Sequence, residues 1–276
     1  MIIKYSVLKE KPKSYPGLWL SVSKVKCFQK CPAQYRFNYI EHLPTKTWAH
    51  HTFGNFLHEI LEDFHQDILK GNDAPWHEIM TKKFAEVSKK MEKDLTKDQK
   101  IEAQSILSHY LKLMASKKKL DKLPRVTGVE INFYVDINSD VLLNGFIDRM
   151  QVDPDNVVHV SDYKTTKNKK YLKDDYFQLL TYAYVMCLKD PELEKVRASY
   201  MLLRHDFETI DKTYARKELM SVGAEYLKCA EQINNEKLWR PKTSFLCNYC
   251  DFLSHCKDGK DTVEKINPTE FGASSW

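Results

Sequence analysis

The chain has 276 residues, of which 42% are hydrophobic and 29% charged, with a formal net charge of +5. That length buries a full core, as one large domain or two small ones, and the composition reads as soluble and globular. No apolar run approaches the length of a membrane span and the first residues carry no secretory pattern, so a cytoplasmic protein is expected.

In chain order, Ser21-Val22-Ser23 offers caps for a helix over 24–40, which Pro32 should kink or restart. A second helix is expected over 53–70, ended by Gly71-Asn72. A third covers 76–94. A fourth covers 98–118, with Ile106, Leu107, Tyr110, Leu111 and Met114 on one stripe. The period then changes. Val129, Ile131, Phe133, Val135 and Ile137 alternate with other residues, which predicts a strand. Two more strands follow, over 141–152 and 157–165, joined by Asp153-Pro154-Asp155-Asn156. A helix over 174–188, a strand over 196–204 paired with 208–211, and a long helix over 214–238 complete the reading. An α/β core with a helical addition is the expected fold class.

Residues two apart on a strand share a face, so Asp162 and Lys164 project together. A three-residue turn at 154–156 places Asp148 opposite Asp162; a two-residue turn makes them diagonal neighbours. Either way two carboxylates come together with a lysine beside them. Such a pair suits a hard cation such as Mg²⁺ or Mn²⁺, and the lysine can orient water or stabilise charge on a phosphate. An isolated D-x-K is more often a surface ion pair of about 0–1 kcal/mol. Here His58 lies on a helix, and Gln178 and Tyr182, four apart, share a helix face.

The ordered set Gly54-x3-His58-x3-Glu62, Glu130, Gly145-x-Ile147-Asp148, Asp162-Tyr163-Lys164-Thr165 and Gln178-Leu179-x2-Tyr182 resembles the RecB-like branch of the PD-(D/E)XK nuclease superfamily. The resemblance implies a restriction-endonuclease-like fold, a mixed sheet flanked by helices. It implies one nuclease domain over 1–276, with a helical part at 21–125, a catalytic core at 126–211, and a C-terminal helix and cysteine cluster at 212–256. His58, Asp148, Asp162 and the backbone carbonyl of Tyr163 would bind the divalent metal. Lys164 would be the catalytic lysine, and Gln178 and Tyr182 would position the active strand and the nucleic acid. Glu130 suits a site edge or a solvated position equally.

Seven cysteines in a chain with no export signal argue for thiolates rather than a disulfide framework. Cys247-x2-Cys250-x5-Cys256 resembles a metal knuckle that lacks a fourth ligand. Cys31 is the first candidate, with Cys27, His255, Cys187 and Cys229 as alternatives; the last two read as buried apolar residues. Thiolate spacing fits zinc or an iron–sulfur cluster. Ser21-x-Ser23-x4-Phe28-x2-Cys31-Pro32-x2-Tyr35 followed by the downstream triplet is similar to the iron–sulfur subset of this nuclease branch, the Cas-four-like and AddB-like proteins. That resemblance implies a 4Fe–4S cluster on Cys31, Cys247, Cys250 and Cys256, with zinc as the alternative.

Lys167, Lys169 and Lys170 run straight off the strand bearing Lys164, where phosphate contact is expected. Tyr35, Phe37 and Tyr39 suit base stacking or core packing equally. The expectation is a metal-dependent deoxyribonuclease, an exonuclease on single-stranded or frayed DNA ends. The alternative is a nucleic-acid processing partner in a recombination, repair or CRISPR-like adaptation complex with cutting secondary. No Walker-type loop is present, so no motor is expected.

Overall fold

The computed structural model describes residues 3–45, 49–172 and 176–266. Two short strands open the chain, β1 (Tyr5–Leu8) and β2 (Leu18–Leu20). Helix α1 (Val22–Lys30) is capped by the Ser21 hydroxyl, which accepts from the Lys24 N–H. Pro32 does restart the helix: it sits at the first position of α2 (Pro32–Tyr35), which continues as a π-helical turn over Arg36–Ile40. Three longer helices follow, α3 (Ala49–Leu69), α4 (Trp76–Lys90) and α5 (Lys97–Lys119), the last with a reciprocal Thr96/Gln99 capping box.

Strands β3 (Arg125–Ile137), β4 (Val141–Val152) and β5 (Val158–Lys164) form the expected meander. Helix α6 (Phe177–Lys189) leads to β6 (Lys195–Leu202), which runs parallel to β5, and β7 (Glu208–Ala215) returns antiparallel. The sheet has seven strands, in the order β1-β3-β4-β5-β6-β7, with β2 parallel to β4. This is a mixed α/β fold of the restriction-endonuclease-like kind. The expected start of α6, Asp174, lies outside the described residues.

Two apolar layers sandwich the sheet. On one side Val160, Ala198, Tyr200 and Leu202 pack with Leu179 and Ala183 of α6. On the other, Tyr163, Met201 and Leu203 pack with Phe53, Leu57 and Ile60 of α3 and Tyr110 of α5. The alternation of β5 and β6 between layers follows from strand pleating.

The expected long helix over 214–238 is corrected. Residues 208–215 are strand β7, with Tyr214 buried opposite Val196, so sheet pairing overrides the helical pattern there. A short turn α7 (Arg216–Leu219) and helix α8 (Val222–Asn235) follow, and the Glu236 carboxylate accepts from the Leu238 and Trp239 N–H groups beyond the helix end. Strands β1 and β2 and a C-terminal helix α9 (Lys257–Ile266) were not expected from the sequence. Among the described residues no helix is long and apolar enough to cross a membrane.

Candidate functional site

The site forms where the sheet opens. The β4–β5 ladder pairs Val152 with Val158 and ends at Arg149 with Ser161. Val157 and Asp153 close the turn, with Asn156 in the left-handed region at φ 59°. This is the three-residue register, and continuing it sets Asp148 across from Asp162. Farther along, the same edge of β4 is taken by β2, at Val141–Leu143. Between these two partners Asn144, Gly145, Phe146 and Asp148 line a cleft of about 780 Å³.

Where backbone pairing stops, a side chain takes over. The Tyr163 N–H donates to Asp148 Oδ2 at 2.7 Å. The Tyr163 carbonyl points the other way and accepts from His58 Nε2 at 3.0 Å. A carbonyl only accepts, so Nε2 carries the hydrogen, and in the neutral ring Nδ1 then presents a lone pair. Nδ1 lies 3.5 Å from Asp148 Oδ2. Burial holds His58 below its usual titration range. Burial and the Asp162 carboxylate beside it push Asp148 well above the usual carboxylate range.

Helix α6 supplies the second wall. Gln178 Nε2 donates to Asp162 Oδ1 at 2.6 Å and to the Tyr182 hydroxyl at 2.8 Å, while its Oε1 accepts from Lys164 Nζ at 3.1 Å. Tyr182 also points its hydroxyl at Asp162 Oδ1, at 3.4 Å. Lys164 Nζ stands 2.5 Å from Asp162 Oδ2 and over the Tyr200 ring. The Asp162 side chain is buried, and its Oδ2 has no aligned hydrogen-bond donor despite that close ammonium. Glu130 sits in β3 between Val129, paired with Arg149, and Ile131, paired with Ile147; that register faces it to Asp148. Its φ of 45° marks a local irregularity of the strand, and burial followed by the charges of Glu62 and Asp162 raises its carboxyl.

The donor set fits a divalent cation. Three oxygen-bearing groups and an imidazole converge, and one buried carboxylate oxygen lacks an aligned partner. Among the described residues no three His, Cys, Asp or Glu side chains stand close enough together to hold a metal ion as they are. Lys164 on Asp162 and the Tyr163 N–H on Asp148 account for the carboxylate orientations.

Sequence reasoning missed part of the cleft. Asn55, Glu59 and Asp63 line it beside His58 and Glu62, as does Lys90, which pairs with Glu59 at 2.6 Å. The spacing 55-58-59-62 on one helix face was the available signal. Phe146 also lines it with its ring about half exposed (48%). Beyond Lys164, Arg204 was missed too. It donates to the Thr165 carbonyl at 2.7 Å, grips Glu102 through two nitrogens, and stacks on Phe53.

In the basic run, Lys167 and Lys170 are exposed, whereas Lys169 is ion-paired with Glu208. Tyr35 and Phe37 are buried rather than free to stack on bases; Tyr35 stacks on Trp239, and Tyr39 packs against Tyr35. Cys187 and Cys229 are buried. Cys31, Cys250 and Cys256 pack around Ala33, Phe37 and Phe252, bringing residue 31 beside residues 250–256. Cys247 Sγ accepts from the Ser244 N–H at 3.5 Å, and Cys256 Sγ from the Gly259 N–H at 3.3 Å. Burial raises the thiols of Cys250 and Cys256, and that of Cys27 to about 11. Among the described residues the cysteines form no group placed to hold a metal ion.

Residues 19–257 match the sequence pattern of the PD-(D/E)XK nuclease superfamily. The chain belongs to that superfamily. No curated protein matches. Among solved structures, a provisionally assigned exonuclease from Eubacterium rectale aligns over 92% of this chain and 94% of its own, at 11% identity and a TM-score of 0.46. The crystal structure of SSO0001 aligns over 87% and 86%, at 13% identity and a TM-score of 0.35. PD-(D/E)XK nucleases generally use divalent metals, and the converging acids of this chain suit one.

Proposed function

We propose that this chain is a Mg²⁺- or Mn²⁺-dependent deoxyribonuclease acting as an exonuclease on single-stranded or frayed DNA ends. The observation that supports it most is the meeting of Asp148, Asp162, Gln178 and Tyr182 in one cleft, with Lys164 held on Asp162 and Gln178 beside it. His58, Asp148, Asp162 and the Tyr163 carbonyl would hold the cation, which when bound supplies Lewis acidity and an activated water. Gln178 orients both Asp162 and Lys164. Lys164 stabilises the charge that develops on the scissile phosphate. The exposed Phe146 ring offers a stacking surface for a base, and Lys167 and Lys170 contact phosphates downstream of the active strand.

Cys31, Cys247, Cys250 and Cys256 would hold a 4Fe–4S cluster in this reading, with zinc as the alternative. Its role is structural, because it ties α2 to the C-terminal segment.

The test is incubation with end-labelled single-stranded DNA and Mn²⁺ or Mg²⁺. Progressive shortening is expected, absent with a chelator and in Asp148→Asn. Internal cuts of a circular single strand would overturn the exonuclease reading. No cleavage with either cation would overturn the nuclease reading.

A further inference from the structure

A second cavity, of about 590 Å³, lies between α5 and the sheet, away from the catalytic cleft. Its wall contains Arg149, which is 3% exposed. The Arg149 guanidinium donates from Nη1 to the Tyr110 hydroxyl at 2.5 Å, and that hydroxyl meets His65 Nε2 at 2.6 Å. Burial, then the Arg149 charge, keeps His65 neutral. The other neighbour of the guanidinium is the Tyr163 phenol. Both phenols are neutral, and among the described residues no carboxylate lies within 4.0 Å of Arg149. Its Nε is buried without a partner. A buried guanidinium with no counter-anion is costly, and guanidinium geometry matches phosphate.

The rest of the cavity is consistent in its chemistry. Lys117 and Lys122 are exposed at its mouth, and neither is ion-paired among the described residues. The nearby acids are otherwise engaged: Asp153 takes Arg197 and His159, and Asp155 takes Arg197. Asp211 stands among exposed β7 residues. Gln151 is 4% exposed, and while its Nε2 donates to Asp153, its Oε1 is buried without a partner. The cavity thus presents an unmatched cation and an unmatched acceptor. Met114, Leu123 and Phe207 provide an apolar wall.

We propose that this cavity binds a nucleoside monophosphate, with the phosphate on Arg149 and the two lysines and a base or sugar donor on Gln151. A dianion fits three cations, a flat apolar base fits the Met114/Leu123/Phe207 wall, and the volume is that of a small-molecule site. The inference stands apart from the nuclease reading, because none of these side chains lies in the catalytic cleft.

The experiment is calorimetric titration of the full chain with deoxyadenosine monophosphate, in chelator and without divalent cations. One molecule per chain is expected. Deoxyadenosine, which lacks the phosphate, and glucose 6-phosphate, which lacks the base, should each bind at least about tenfold more weakly. The Lys117→Gln/Lys122→Gln double variant, changed only at the exposed mouth, should melt like the parent and bind at least about tenfold more weakly. Arg149→Lys should weaken binding further if it folds. Three outcomes overturn the site: no heat at millimolar nucleotide, undiminished affinity in the double variant, or loss of binding in Lys167→Gln/Lys170→Gln instead. Equal binding of glucose 6-phosphate overturns the nucleotide assignment.

Discussion

Gln178 touches Asp162, Lys164 and Tyr182 at once. Removing it leaves the carboxylates in place but frees Lys164 to rotate. Gln178→Ala is therefore expected to lower kcat about 10–100-fold with little change in KM, as expected when one positioning contact is lost; an unchanged kcat would show that the glutamine only packs. A separate residue network sets acid stability. Burial would raise the Asp153 carboxyl, but hydrogen bonds from His159, Gln151 and Arg197 outweigh it and hold the group at about 2. The folded value lies below the unfolded one of about 3.9, so the contribution is complete above pH 4 and is lost as pH falls toward 2. Asp153→Asn should remove about 2–3 kcal/mol of stability at pH 7 and flatten the loss between pH 4 and 2, measured by urea unfolding across that range. At this scale much of the site was legible in the sequence. Strand alternation pairs Asp162 with Lys164, and the four-residue helix step pairs Gln178 with Tyr182. Lys90 and Phe146 were not legible, because packing between helices and the opening of the sheet bring them to the cleft. Nor was the pairing of Lys169 with Glu208, which depends on β7 returning beside β6.

At the scale of elements, the decisive feature is the parting of β4 from β5 beyond Arg149 and Ser161. The turn at 154–156 fixes the register by local chemistry, so the Asp148–Asp162 juxtaposition could be read from Asp153-Pro154-Asp155-Asn156. The gap itself could not, since β2 reaches β4 through contacts distant in sequence. The same distance hid β1 and β2, each too short to show alternation. Residues 208–215 were read in part as helix because a largely exposed edge strand, with only Tyr214 buried, carries a weak pattern. Gly145 lies in the opened stretch of β4. A Cβ there would meet the Phe133 ring at 2.6 Å, and Phe133 also packs edge-on against Tyr182. Gly145→Ala should cost about 1–3 kcal/mol through overpacking and disturb the Tyr182 side of the site. Chemical denaturation and cleavage assays on one preparation check both effects; a variant with parental stability would contradict the packing argument.

At the scale of the molecule, two apolar layers hold the sheet from either side, and the C-terminal cysteine segment packs on the Cys31 turn over Phe37 and Phe252. The α/β class and the helical first half were legible from period alone, because amphipathic helices and alternating strands carry their own signal. The closing of residue 31 onto residues 250–256 was legible only from the cysteine pattern. Cys250→Ser is expected to remove the brown colour and iron of anaerobically purified protein and to lower its melting temperature by about 5 °C or more, whereas Cys187→Ser should leave both colour and iron unchanged. Iron-free protein holding one zinc would replace the cluster with the alternative metal and leave the packing of residue 31 beside residues 250–256 intact.

The central claim is that one cleft both holds a divalent cation and cuts DNA. It is tested most directly by measuring Mn²⁺ affinity, by electron paramagnetic resonance, and single-turnover DNA cleavage on the same samples of parent, Asp162→Asn and Lys164→Ala. The account predicts that Asp162→Asn loses both binding and cleavage, while Lys164→Ala keeps Mn²⁺ binding and loses cleavage by at least about 10²–10³-fold. Parental cleavage in folded Lys164→Ala, or undiminished Mn²⁺ binding in Asp162→Asn, would contradict it.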